Sequence, residues 1–129
     1  MKPGDFTYHE ITTQTEAWVE ALDVVERSSA DLRALFHSRY SQVIFTGCGS
    51  TYYLSQAAAA LFQECTGRIA RAVPAGELLL NERTVLSSNT NEPTLLIAIS
   101  RSGATTETLR AVEHFKTHHN GKVLVITNY

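Results

Sequence analysis

From residue 43 onward the chain alternates between two apolar patterns. Val43-Ile44-Phe45-Thr46, residues 69–73, Leu95-Leu96-Ile97-Ala98-Ile99 and residues 123–126 are short runs dominated by apolar, mostly branched side chains. Such runs suit strands buried on both faces of a parallel sheet. Between them apolar residues recur at helical spacing. Leu54, Ala58, Leu61, Phe62 and Cys65 follow the first run, residues 75–82 follow the second, and 106–118 follow the third with Leu109, Val112 and Phe115 turned inward. Gly67 is placed to close the first of these helices, Pro74 to end the second strand, and Asn120-Gly121 to turn into the fourth. The polar segment 87–93 reads as a surface loop.

Two helices are expected ahead of this alternation. Thr13 and Glu16 form the T-x-x-E pattern of a capping box, and Trp18, Leu22 and Val25 then share one face, with Ala21 between them. A second helix from Ser29 to His37 carries Leu32, Leu35 and Phe36. Neither helix carries chemistry, and both read as surfaces for packing or dimer contact. Repeated strand–helix–strand units predict an α/β domain, with a parallel sheet, right-handed crossovers and helices on both faces. The expected organisation is a helical lead-in over 1–41 and an α/β domain over 42–129. The fourth strand ends the sequence with nothing after it to cover that side, so a segment of a longer protein is expected.

Composition narrows the function. The 129 residues are 43% hydrophobic and 19% charged with a net charge of −2, an ordinary globular balance with no basic footprint for nucleic acid. The longest uncharged apolar stretch, 54–62, is too short and too rich in alanine to span a bilayer, and the N-terminus has no signal-peptide core. Cys48 and Cys65 form neither a disulfide framework nor a CxxC metal pattern, and a cytoplasmic location is expected.

Candidate chemistry gathers in two loops. Gly47-Cys48-Gly49-Ser50-Thr51 and Ser100-Arg101-Ser102-Gly103-Ala104-Thr105 each follow a predicted central strand and open a helix. Open α/β sheets bind ligands at that place, and backbone amides at a helix start attract anions. Glycines allow close approach of the backbone, and the hydroxyls of Ser50, Thr51, Ser100, Ser102 and Thr105 can donate to a phosphate. Capping of the two helices is the competing reading, since Ser and Thr are good N-caps. Other motifs fail on particular residues. A dinucleotide fingerprint needs glycine at position 52, which is Tyr52, and an acid after the second strand, where Ala72 and Val73 stand. No Walker A lysine and no G-x-S-x-G elbow are present. His114 and His118 have i, i+4 spacing that suits metal chelation, but they fall on the polar face opposite Leu109 and Phe115. They are read as a solvated face, and no metal or cofactor is expected.

The two loops, strand-G-C-G-S-T-helix and strand-S-R-S-G-A-T-helix about fifty residues apart, resemble the SIS (sugar isomerase) family of phosphosugar isomerase domains. The resemblance covers 42–129, and the lead-in with His9-Glu10-Ile11 and Gln14 resembles the segment before the first SIS repeat in the isomerase half of glucosamine-6-phosphate synthases. It implies a three-layer αβα sandwich with a flavodoxin-like parallel sheet. It also implies a phosphosugar site in which Cys48, Gly49, Ser50 and Thr51 contact the sugar and its phosphate, while Ser100, Ser102 and Thr105 hold the phosphate. Arg101 departs from the glutamine common in those synthases and offers a further phosphate or carboxylate contact. Family members form dimers or tetramers, so a homo-oligomer is implied.

In tandem relatives the glutamate, histidine and lysine for proton transfer come from the second repeat, beyond the sequence in hand. Glu77 is the best acid/base candidate present, although a helix N-terminal charge is the commoner role for such a residue. Binding of a hexose or amino-sugar phosphate without efficient turnover is therefore expected of this chain, as part of an isomerase or deaminase. The alternative is a non-catalytic sugar-phosphate sensor. Such a regulator would carry a helix-turn-helix domain ahead of the SIS fold, and the lead-in is too short and too acidic for one.

Overall fold

A computed structural model describes residues 3–86 and 92–128, and the chain divides into two compact units, Met1–Ser38 and Arg39–Tyr129. The first unit holds three helices, α1 (Asp5–Thr12), α2 (Gln14–Arg27) and α3 (Ser29–His37). Helix α1 was not foreseen, and its presence changes the start of α2. Thr13 sits between the two helices, and its hydroxyl donates to the His9 carbonyl at 2.9 Å, not to the first turn of α2. The expected capping box is therefore absent, because the His9 carbonyl at the end of the preceding helix, which also accepts the Thr13 amide, takes the hydroxyl. None of the three helices has a fully buried residue, and Trp18, Leu22 and Val25 are largely exposed.

The second unit is built on four parallel strands, β1 (Gln42–Gly47), β2 (Ala70–Pro74), β3 (Thr94–Ser100) and β4 (Gly121–Thr127), in the order β2-β1-β3-β4. Helix α4 (Ser50–Thr66) joins β1 to β2, α5 (Ala75–Leu80) and α6 (Glu82–Val85) join β2 to β3, and α7 (Thr106–His118) joins β3 to β4. Successive side chains on a strand point to opposite faces. Ile44 packs with Val73, Leu78, Leu96, Ala111 and Phe115 on the face of α5 and α7. Its neighbour Phe45 meets Phe62 of α4 edge-on on the other face, with ring centroids 5.8 Å apart. Helices thus cover both faces, giving the three-layer parallel sandwich expected.

Burial follows position in the sheet. β3 is buried over its whole length, whereas β4 is largely exposed at the sheet edge. Gly67 closes α4 in the left-handed conformation, with its amide on the Gln63 carbonyl at 2.9 Å. Two expectations need correction. The helix expected over 75–82 is broken at Asn81, whose carbonyl receives both the Thr84 amide and the Thr84 hydroxyl and so starts α6. Leu109 does not face inward but is 46% exposed. The buried stripe of α7 runs through Thr108, Ala111 and Phe115, with Val112 partly buried, because the small Ala111 lets the helix lie close to the sheet. Of the expected loop over 87–93, residues 87–91 lie outside the described residues. Pro93 accepts a hydrogen bond from the Ser41 amide at 2.9 Å.

Candidate functional site

The sheet order places β1 and β3 side by side, with Thr46 level with Ala98. Connections leave these two strands toward opposite faces, α4 one way and α7 the other. This is the topological switch point of an open parallel sheet, where a crevice opens beyond the carboxyl ends of the strands. Both candidate loops lie at its rim.

The first loop is held by Thr51. The Cys48 amide donates to Thr51 Oγ1 at 3.0 Å, and the Thr51 hydroxyl donates back to the Cys48 carbonyl at 3.0 Å. This clasp needs Gly47, because a Cβ there would lie 2.7 Å from both the Thr51 carbonyl carbon and Oγ1. It also needs Gly49, whose φ of 59° and ψ of −125° lie outside the regions open to other residues. Gly49 and Ser50 are exposed and Cys48 is half-buried, while Thr51 is half-buried with its only proton spent inside the loop. Thr51 therefore shapes the loop, and with the Tyr52 amide donated to the Gly49 carbonyl at 3.1 Å, the exposed Ser50 and the amides of Ser50 and Thr51 are the groups left at the start of α4. α4 has no acidic residue in its first turn.

The second loop begins at Ser100, which is 4% exposed and whose hydroxyl has no hydrogen-bond partner among the described residues. Arg101 and Ser102 are exposed, and Ser102 Oγ accepts the Ala104 amide at 3.2 Å, leaving its own proton to donate. Thr105, half-buried, stands at the N-cap of α7 and accepts the Leu109 amide through its carbonyl at 3.0 Å. Among the described residues neither α4 nor α7 receives a side-chain hydrogen bond at its N-cap. The capping role that competes with ligand binding for these hydroxyls is thus unfilled in both loops.

Two polar residues that the sequence reading did not single out border the second loop. Thr127, at the end of β4, is level with Ser100, and its Oγ1 lies 3.2 Å from where a Cβ on Gly103 would be. The Asn128 amide donates to the Arg101 carbonyl at 3.4 Å. The signal available was the same one used for the other loops, polar residues directly after an apolar strand. Thr46 is a buried support whose hydroxyl donates to the Val73 carbonyl at 2.8 Å, tying β1 to β2 beneath the first loop. Glu77 is exposed in the first turn of α5, at the same end of the sheet, since Pro74 pairs with Gly47.

The SIS domain family model matches residues 35–129. The chain is 32% identical over 114 residues to D-galactosamine-6-phosphate deaminase AgaS of Escherichia coli, covering 85% of this chain and 29% of that protein. It is 36% identical over 98 residues to isomerizing glutamine–fructose-6-phosphate aminotransferase of Helicobacter pylori, covering 76% of this chain and 15% of that protein. The crystal structure of tagatose-6-phosphate ketose/aldose isomerase from Escherichia coli superposes with a TM-score of 0.82 at 29% identity, over 96% of this chain and 35% of that one. The chain therefore spans about a third or less of the length of these proteins. With its parallel sheet, its two rim loops and a family match across the whole α/β unit, this chain belongs to the SIS domain family, homologous to phosphosugar isomerases and deaminases.

Proposed function

We propose that the chain binds a sugar phosphate in the crevice between the ends of β1 and β3, as the first SIS repeat, over 42–129, of a phosphosugar isomerase or amino-sugar phosphate deaminase. The single observation that carries this reading is the buried Ser100 hydroxyl, which has no partner among the described residues, at the start of a loop leading into a helix whose serines and threonines, like those of α4, do not cap it. A buried hydroxyl left unpaired costs roughly 1–3 kcal/mol, which an anion oxygen at the site would recover. Hydrogen bonds to a charged group contribute roughly 1.5–3 kcal/mol each, and a helix N-terminus adds about 0.3–1 kcal/mol. Three or four such contacts give affinity in the millimolar to micromolar range without a lysine.

In this reading Ser100, Ser102 and Thr105 hold the phosphate, Arg101 closes over it, and Cys48, Gly49 and Ser50 line the sugar side. Thr51 acts through the shape it gives the first loop. The lead-in over 1–41 presents its exposed apolar face to another subunit of a homo-oligomer. A cytoplasmic location goes with metabolites of this class, and among the described residues no helix is long and apolar enough to cross a membrane. Binding without efficient turnover is expected of the chain alone, with Glu77, in the first turn of α5, its acid/base candidate.

Thermal-shift titrations with fructose 6-phosphate, galactosamine 6-phosphate and unphosphorylated fructose test the reading. Phosphorylated ligand at about 100 times its dissociation constant should stabilise the fold by about 2.7 kcal/mol. Fructose should give no shift, and Ser102→Ala should weaken binding of the phosphates about tenfold or more. Equal shifts with fructose and fructose 6-phosphate, or an unchanged affinity in Ser102→Ala, would sink it.

A further inference from the structure

A second cluster of polar side chains lies at the other end of α7. Glu82 opens α6, His114 lies in the last turns of α7, and His119 is its C-cap residue in extended conformation. Glu82 Oε2 is hydrogen-bonded to His114 Nε2, and the other oxygen, Oε1, is 3.1 Å from His119 Nε2. One donor atom from each residue lies within 4.8 Å of the other two. Among the described residues His119 Nε2, which is buried, makes no well-aligned hydrogen bond despite that short distance, so it lies near the carboxylate without being squarely aligned to it. Glu82 Oε1 and His119 Nε2 stand in the relation of two ligands of one ion, and His114 Nε2 would join them by exchanging its hydrogen bond with Oε2 for the metal. Atoms about 2.0–2.1 Å from a tetrahedral ion are separated by about 3.3–3.4 Å and point at the ion between them.

The geometry points to a binding site for a late first-row divalent cation, Zn²⁺ above all, with Glu82, His114 and His119 as its protein ligands and a fourth position open to water. Two imidazoles and one carboxylate form a donor set of zinc type, whereas Mg²⁺ and Ca²⁺ require mostly oxygen. The rings are held in place before any ion arrives. His119 stacks on Phe115 with centroids 5.5 Å apart, and His118 stacks on His114 at 4.4 Å with its Nδ1 against the His114 carbonyl. The hydrogen bond from His114 and the proximity of both imidazoles hold the Glu82 carboxyl below its ordinary range, against the opposing effect of burial. Its ionised form is the one that ligates a metal.

The role of this site differs from that of the rim crevice. α7 runs 13 residues from Thr106 to His118, about 20 Å at 1.5 Å per residue, so the ion sits a full helix length from the second loop. It would fasten α6, within the β2–β3 connection, to the end of α7 just before β4 begins. The inference stands or falls independently of phosphosugar binding.

The test is a Zn²⁺ titration of the metal-stripped chain, followed by calorimetry and by long-range ¹H–¹⁵N spectra of the imidazole rings. One equivalent should bind, raise the Tm, and shift Nε2 of His114 and His119 to the metal-bound position, with no response to Mg²⁺. Glu82→Gln and His119→Gln, chosen because they keep size and polarity, should each weaken binding about tenfold or more. Absence of binding overturns the inference, and so does binding that shifts only His9, His37 or His118, or that persists unchanged in Glu82→Gln. Because the ring spectra are read on the unsubstituted chain, a variant that fails to fold does not remove the test.

Discussion

Phe115→Ala should destabilise the second unit by about 3–5 kcal/mol, the cost of emptying a large and well-packed aromatic site. Phe115 is 1% exposed and lies in the cluster with Ile44, Leu78, Leu96 and Ala111 that joins α5 and α7 to the sheet. Its ring also reaches the start of β4, where a Cβ on Gly121 would lie 2.6 Å from Cζ. Of its neighbours, Ala111 offers only a methyl group, and Ile44 and Leu96 are held in strands between the two helical layers. For a unit of about 90 residues, 1 kcal/mol moves the Tm by roughly 4–8 °C, so a fall of more than about 12 °C is expected in a thermal melt. Leu109→Ala, on the same helix, should stay within about 0.5 kcal/mol of the parent because Leu109 is 46% exposed. Equal losses for the two variants would show that the inward stripe of α7 runs where the bare periodicity put it.

That contrast marks where sequence reasoning succeeded and where it did not. The four strands and the helices between them were legible because a strand buried on both faces leaves an uninterrupted apolar run that little else produces. Residues 95–99 are the clearest case, and β3 is buried throughout. The two loops were legible for a related reason, since hydroxyls and glycines directly after such a run have few structural uses. What failed were assignments that depend on a partner distant in the chain. Leu109 and Thr108 exchange places because the inward face of α7 is set by where α5 and the sheet lie, and spacing alone cannot report that. Thr13 looked like the first residue of a capping box, but the preceding helix took its hydroxyl. His114 was paired with His118 by its i, i+4 spacing, whereas the fold brings it to Glu82, 32 residues away, and sets His119 beside the same carboxylate. Thr51 was expected to contact a ligand, yet its hydrogen bonds run to Cys48, so what the fold gives it is the shape of the loop.

Gly47→Ala should abolish sugar-phosphate binding, with affinity falling about a hundredfold or more, while the unit still folds. The added methyl group would lie 2.7 Å from the Thr51 carbonyl carbon and 2.8 Å from its carbonyl oxygen, which are backbone atoms of the first turn of α4. A flexible side-chain tip could swing aside, but a helix backbone cannot, so either the turn or the strand end must shift. Overpacking of this kind costs about 1–3 kcal/mol, less than emptying the Phe115 site. The functional loss should be larger than the structural one. Moving the first turn of α4 redirects the amides and the Ser50 hydroxyl that face the crevice, and charge-assisted hydrogen bonds weaken steeply when misaligned. Gly49→Ala supplies the companion measurement. Nothing lies within 4 Å of a Cβ there, so its penalty comes from φ of +59° alone, about 1–3 kcal/mol. Urea unfolding and a fructose 6-phosphate titration on both variants separate the two causes, a steric clash at Gly47 and backbone strain at Gly49. Both should lose binding if the loop holds the ligand. A Gly47→Ala chain that binds as tightly as the parent would mean that the first loop, however well shaped, is not where the sugar phosphate sits.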